Sequence, residues 1–585
     1  MAFHIIPACA FASICLGLVT LSYYHLQQPR SLLWYTQAAA IVFFEWFFSN
    51  LVYKLAFHPL AKYPGPLIAS LTDWYTVYWI AEGGRHLELD KQHKKHGKFV
   101  RFGPNRLSIN SAKASRDLHD VNSNTFKADA YGSFKRFFGA EMSLTTVDHK
   151  AHAFRCRVNV TAITSAAVKE FEDQVTPHLD EFISIISEGA GSKSQGEYGW
   201  SAGKDMSYAV AFCIADIMGS VTFGRTWNVQ RDPKYRHFVK DLPNGVAGIH
   251  LVGHMQSLFF CNLHKVLFKE LIVGVGNLMS VSRSFALWRL EQSSMPYRDI
   301  WQALLASRDP KTGEAFSTEE LISEASLFII GGTDGMITAT TSTLFYLTHN
   351  PRTLERLTRE IREAFPLSSE DLGKKGSSVN CPIRFASAEL QKIAYLPACI
   401  DEAMRMSPPV PSILPRVVGP GGLTVDGEYF PAGVNLGIPH YSMHHSEDNF
   451  AEPLTYAPGR WFLEERIKGL KDGSVPVSGK ESPKMRPAVG QSYGFTPFGG
   501  GRSSCIGKYL AYQEMSIVLA RLIWLFDIRL DPSSNMGEGV EMPRKAGNAR
   551  ASFSCMTDLS VHRKDQCYNS DTERSWLHNW STVLA

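Results

Sequence analysis

The chain has 585 residues, a formal net charge of +4, and 20% charged against 44% apolar residues, the composition of a folded protein with a sizeable core. A charge this small for the length excludes a nucleic-acid binder of the basic-surface kind. Ten scattered cysteines with no CxxC pair exclude a disulfide framework or a cysteine-rich zinc site.

Ile5 to Tyr23 is an almost unbroken apolar run, long enough to cross a bilayer core. No basic residue precedes it, so it fits a cleaved signal peptide poorly. A second run, Leu32 to Phe57, is interrupted by Gln37, Glu45, Asn50 and Lys54 and either spans or lies in the interface. Residues 1–57 therefore read as an N-terminal membrane anchor of one or two hydrophobic segments. Lys54 and Lys62 favour a cytoplasmic body, while Arg30 leaves the number of spans open. Residues 58–66 end in Tyr63-Pro64-Gly65-Pro66 and read as a stiff hinge, since proline lacks a donor and fixes φ.

Residues 67–560 read as one body, mainly α with small mixed β-sheets, and residues 561–585 as a polar tail. Phe99–Phe102 and Arg106–Ile109 form a predicted hairpin about Gly103-Pro104-Asn105. From Ala151 onward helical patterns dominate. A long helix is predicted from Thr318 to about His349, opened by capping chemistry at Ser317–Glu320 and stopped by Asn350-Pro351. Another runs from Ser387 to Met406. Ile413 to Val434 is strand-like, Leu463 to Tyr493 a surface loop, and Gly507 to Phe526 helical.

The decisive stretch is Phe498-Gly499-Gly500-Gly501-Arg502-Ser503-Ser504-Cys505-Ile506-Gly507. It presents one cysteine from a glycine-rich loop just before a helix. Cysteine supplies an anionic sulfur donor, and such a ligand on haem iron favours O–O cleavage. Loop N–H groups and the helix start would lower the thiol pKa, the glycines would let the backbone approach the macrocycle, and Phe498 would shield the sulfur. The plain alternative is an inert cysteine in a flexible loop. The joint fit of Phe498, Gly501, Cys505 and Gly507 favours haem.

This loop resembles the haem signature of the cytochrome P450 family, Phe-x-x-Gly-x-Arg-x-Cys-x-Gly. One position departs: Ser503 stands where the arginine usually is, and Arg502 is one residue earlier. Glu402-Ala403-Met404-Arg405 resembles the family's ExxR pair, and Tyr456 to Trp461 its Pro-Glu-Arg-Phe/Trp segment with Gly459 for the acid. The resemblance implies a structural ion network of Glu402, Arg405 and Arg460 behind the haem. It implies that Arg416 reaches a haem propionate. Near Asp148 to His152 the family has an aromatic or histidine followed four later by arginine. Counting from His152 gives Cys156, so Arg155 or Arg157 is expected to serve instead.

Gly331-Gly332-Thr333-Asp334-Gly335-Met336 aligns with the family's oxygen-activating helix segment. Asp334 would relay protons. The residue after it is usually a threonine that helps deliver protons to dioxygen, and here it is Gly335. A substrate hydroxyl or ordered water stands in, Thr333 or Thr338 helps from a neighbouring turn, or the chemistry differs.

The resemblance implies haem b, dioxygen, and NADPH electrons through a separate membrane-bound reductase. The expected protein is a monooxygenase of a lipophilic small molecule, on the endoplasmic reticulum membrane and facing the cytosol. Several stretches resemble fungal members of secondary-metabolite pathways acting on terpenoid or polyketide skeletons. Val246 to Val275 would roof the pocket and touch the membrane. The rival readings are a haem-thiolate isomerase, dehydratase or peroxide-dependent enzyme, prompted by Gly335, and a haem-thiolate sensor without catalysis.

Overall fold

The computed structural model describes residues 32–188, 200–201, 203–293, 295–309, 311–366, 381–461, 493–531 and 558–563. The Ile5–Tyr23 run lies outside them, as do most of the predicted 463–493 loop and residues 564–585 of the predicted tail. The fold is mostly helical with small mixed sheets.

Helix α1 (Leu32–Val52) continues through a wider π turn, Tyr53–Phe57. Three described helices are long and apolar enough to cross a membrane: Ala39–Phe57, Met206–Phe223 and Lys269–Glu291. The last two have 72% and 44% of their apolar windows buried in the body, whereas Ala39–Phe57 has none. Packing therefore accounts for two of the three, and α1 is the candidate span.

The Pro64–Pro66 segment lies on the body as a docked strap. Arg101 donates its backbone N–H to the Pro64 carbonyl at 2.8 Å. A Cβ on Gly65 would sit 2.1 Å from the Arg101 carbonyl oxygen, so only glycine permits this approach. Short helices α2 (Leu67–Leu71) and α3 (Trp74–Ala81) follow, then α4 (Arg85–His96).

The largest sheet has five strands in the order β1-β2-β8-β5-β3: β1 is Phe99–Gly103, β2 Arg106–Ile109, β3 Thr125–Lys127, β5 Arg416–Val418 and β8 Asn435–Gly437. Strands β1 and β2 form the predicted hairpin. Within it only β2 and β8 run parallel, and β6 (Leu423–Val425) and β7 (Glu428–Phe430) form a separate antiparallel pair. The antiparallel register of β3 on β5 sets Lys127 directly opposite Arg416. Strand β9 (Phe526–Leu530) pairs with β10 (Asp558–Arg563), which also pairs with β4 (Lys204–Asp205). The boundary expected at residue 560 therefore falls inside a strand, and residues 561–563 belong to the body.

Helices α5 (Ala112–His119) and α6 (His149–Ala162) flank the large sheet. The main core gathers around α7 (Met206–Phe223), α10 (Thr318–His349) and α12 (Lys508–Leu525). The capping box predicted for α10 is present, with Ser317 and Glu320 satisfying each other's backbone N–H. The predicted helix 387–406 is broken at Ile393-Ala394 into Ala388–Lys392 and α11 (Tyr395–Met406). Helices α8 (Arg236–His254) and α9 (Lys269–Glu291) pack together above α10.

Candidate active site

The Cys505 loop closes on itself before α12: Cys505 N–H donates to the Phe498 carbonyl at 2.8 Å, and Ser504 N–H to that of Gly501 at 3.2 Å. Gly499 and Gly501 take φ of +69° and +57°, the left-handed region that favours glycine. A Cβ on Gly501 would lie 1.8 Å from the His119 carbonyl oxygen. The C-terminus of α5, which holds the loop from below, by itself demands glycine at this position. Gly501→Ala is expected to leave little haem-loaded protein, read as the ratio of haem to protein absorbance. Gly459→Ala, where nothing lies within 4 Å of the added carbon, is expected to match the parent.

Cys505 is exposed. Burial of the thiol in the fold pushes its pKa up, and outweighs the backbone N–H groups of Gly507 and Lys508 and the Lys508 ammonium, which pull it down. The lowered thiol expected from the loop alone is therefore not found in the polypeptide by itself. Phe498 packs on Tyr512, ring centres 5.3 Å apart, with the Lys508 ammonium 5.7 Å over its ring.

Gly331 is exposed in the middle of helix α10, which beyond its first turn is otherwise covered. Gly332 faces the other way: a Cβ there would meet the Met218 methyl at 2.5 Å, so it serves the packing of α10 on α7. Leu327 and Ile330, beside Gly331, pack with Phe134, Phe138, Ile249 and Val275. That apolar cluster draws on α10, on residues 134–142 and on Val246 to Val275, the expected roof.

At Gly335 the nearest atom to an added Cβ is the Pro409 side chain at 3.9 Å. The position is open, and no side chain fills the space the usual threonine would take. The Thr338 hydroxyl donates to the Asp334 carbonyl at 3.1 Å. Thr333 is fully buried and its hydroxyl has no partner.

Beside the Cys505 loop is a cleft of about 410 Å³ lined by the basic residues His119, Lys127, His149, His152, Arg416 and Arg502, with Asp120 the one acid. Arg416 is 6% exposed and its Nη1 has no partner. Lys127, opposite it across the strand pair, donates to the Ser143 carbonyl at 2.8 Å. Burial, and then the Arg416 charge, lower the Lys127 ammonium to about 7. Burial followed by the same two cations holds His152 at about 4. Arg502 donates to Nδ1 of His149 at 2.9 Å, and His149 Nε2 donates to the Thr125 carbonyl. The Arg416 and Arg502 guanidiniums, with Lys127 beside them, call for an anion, and the carboxylates of a porphyrin fit.

Arg155 and Arg157 need correction as candidates for those carboxylates. Arg155 pairs with Glu320 at 2.6 Å and lies 3.7 Å from Glu324. Arg157 grips Asp309 with two hydrogen bonds of 2.7 and 2.6 Å. Neither lines the cleft, because α6 turns both towards acids elsewhere. Lys127 lines the cleft instead, and the sequence carried no signal for it: its partner strand lies far along the chain.

Behind the loop, Glu402 and Arg405 of α11 are fully buried and doubly bonded, at 3.0 and 2.9 Å. Glu402 also accepts from Arg460 (2.9 Å), the Trp461 indole (3.1 Å) and the Ala457 backbone (2.9 Å). Arg405 donates to the carbonyls of His444, Pro453 and Thr455. The three residues expected to meet do so.

The sequence profile of cytochrome P450 matches residues 64–547. A cytochrome P450 monooxygenase of Penicillium oxalicum (poxM) is 31% identical over 87% of this chain and 91% of its own length. One of Fusarium equiseti (fscF) is 31% identical over 83% and 87%. A third, from Emericella nidulans (atnE), is 30% identical over 84% and 90%.

Proposed function

Because the chain belongs to the cytochrome P450 family, we propose that it is a membrane-anchored haem-thiolate monooxygenase acting on a lipophilic small molecule. The observation that carries this is the joint presentation of an exposed Cys505 thiol, an open Gly331 face on α10 and a cationic cleft. When bound, haem b held by the Cys505 thiolate supplies the activation of dioxygen that lets one oxygen atom enter a C–H bond or alkene, with electrons from NADPH through a separate reductase.

The chain's own residues do the rest. Arg416, Arg502 and Lys127 hold the two carboxylates of the porphyrin. Phe498 and Gly507 shape the surroundings of the sulfur. Asp334 takes protons from water and passes them towards the pocket. The apolar cluster around Leu327, Phe138 and Ile249 excludes water and favours a lipophilic substrate. Thr338 is spent on a backbone carbonyl and Thr333 is fully buried, which favours a hydroxyl of the substrate, ahead of an ordered water, as the group that completes the proton path at Gly335. Gly335→Thr, which the open position accommodates, is accordingly expected not to raise the fraction of NADPH oxidation that ends in product. A large gain in coupling would refute the substrate-assisted role.

Exposed Phe43, Phe44, Trp46 and Phe47 on α1, with Phe260, Val266 and Leu267 between α8 and α9, support a body resting on the cytosolic face of the endoplasmic reticulum membrane. The fungal relatives support a place in secondary metabolism, on a terpenoid or polyketide skeleton. The test is reconstitution of the full chain with haem, NADPH and reductase on metabolites that accumulate when its gene is deleted. Gly335 favours one second reading, an isomerase, dehydratase or peroxide-dependent enzyme. Turnover that needs neither NADPH nor reductase would establish it over the first.

A further inference from the structure

Arg85, the first residue of α4, is 5% exposed. Its guanidinium makes one side-chain hydrogen bond: Nη1 donates to Nε2 of His250 at 3.0 Å, while Nε and Nη2 have no partner. Burial, then the Arg85 and Arg106 charges, hold His250 at about 3, so its ring is neutral and Nε2 accepts. The carboxylates nearby are committed elsewhere. Asp73 pairs with Arg106 at 2.9 Å. Glu88 accepts from the Tyr75 hydroxyl at 2.7 Å and from Gln92 at 2.6 Å. Burial, with Arg106 beside it, lowers the Arg85 guanidinium to about 9, the mark of a cation in want of an anion.

The two unused donors are the adjacent Nε–H and Nη2–H. They form the edge of a guanidinium that grips a carboxylate or phosphate with two parallel bonds. Arg85 borders a cleft of about 250 Å³ lined also by Tyr75, Trp79, Glu88 and Phe102, with both donor atoms closed off from solvent in the unliganded fold, and the Phe102 ring lies 5.3 Å from the guanidinium carbon. Gly84 offers α4 no side-chain cap, so the first turn adds its own unmet preference for negative charge. Trp74 and Tyr78 on α3, and Leu67 and Ile68 on α2, expose apolar surface beside the cleft and run back to the exposed Phe57 at the end of the anchor.

We propose that this cleft binds the phosphate of an anionic membrane phospholipid, gripped by Arg85 through Nε and Nη2, with its acyl chains along α2 and α3. The proposal rests on the reading of α1 as a membrane anchor. It differs from a general basic patch, because one buried guanidinium edge carries it.

The test uses the haem-loaded full chain in neutral detergent, titrated with dioctanoyl phosphatidic acid, and reads Trp fluorescence and the thermal midpoint. Saturable binding of one lipid and a raised midpoint are expected. Dioctanoylglycerol, with the same tails and no phosphate, is expected to do neither. Arg85→Met should weaken binding about 10- to 100-fold and raise the lipid-free midpoint, since it removes an uncompensated buried charge. Arg85→Lys keeps the charge without the fork and serves if the methionine variant does not fold; it should also bind several-fold more weakly. Equal binding by the parent and both variants overturns the site. Binding of decanoate in preference to the phosphatidate overturns the phospholipid and assigns the cleft to a carboxylate amphiphile. Alkaline extraction of membranes reads the anchor separately and is indifferent to Arg85.

Discussion

Cys505→Ala is expected to lose the thiolate absorption band of the reduced carbon monoxide complex, with haem either absent or held in another ligand state. No other described cysteine stands in an equivalent place. Cys213 and Cys399 are fully buried in the core and burial pushes both thiols up. Cys156 lies against His152 at 3.5 Å on α6, and Cys261 is exposed between α8 and α9. Among the described cysteines, only Cys505 combines an exposed residue with a turn closed by its own backbone and backbone donors from the following residues. The measurement is the difference spectrum of parent and variant at equal protein concentration, with circular dichroism to show that the helical content is kept. An unchanged band in the variant would remove Cys505 as the ligand.

Glu402→Gln should prove nearly as damaging although it touches no substrate. Five donors converge on that carboxylate, two of them from the buried Arg405 and one from Arg460. Glutamine removes the negative charge and turns an amide N–H₂ towards groups that can only donate. Stranding buried guanidinium charge in this way costs roughly 3–5 kcal/mol, a large part of the 5–15 or so that a folded domain commands. The denaturation midpoint should fall sharply and purified protein should carry little haem. Arg283→Gln, which breaks the exposed pair with Glu319, should stay within about 1 kcal/mol of the parent. A Glu402→Gln protein as stable and as haem-loaded as the parent would show that the network contributes no stability.

Several features were legible in the residues because the chemistry is local. A capping box spans three positions, so Ser317 and Glu320 announce the start of α10 on their own. Helix geometry places residues three apart on one face, so Glu402 and Arg405 can be paired on paper. The single cysteine between glycines and a helix named the candidate metal ligand without any structure. The break at Ile393-Ala394 was not legible, since the apolar spacing runs through it.

What the sequence determined by itself is therefore the family, the thiolate and the helix that faces it, because each is written in contiguous residues whose spacing obeys a helix or a turn. Tertiary structure alone decided which cations surround the carboxylate cleft. Arg155 and Arg157 have the right identity and nearly the right position, yet packing turned them onto Glu320 and Asp309. Lys127 stands opposite Arg416 only because β3 pairs with β5 in one register. Arg85 is likewise an ordinary arginine in the sequence, and only the packing of α4 against α8 leaves its guanidinium buried without an anion. A charge acquires its role from the partners that burial brings to it or withholds, and those come from remote parts of the chain.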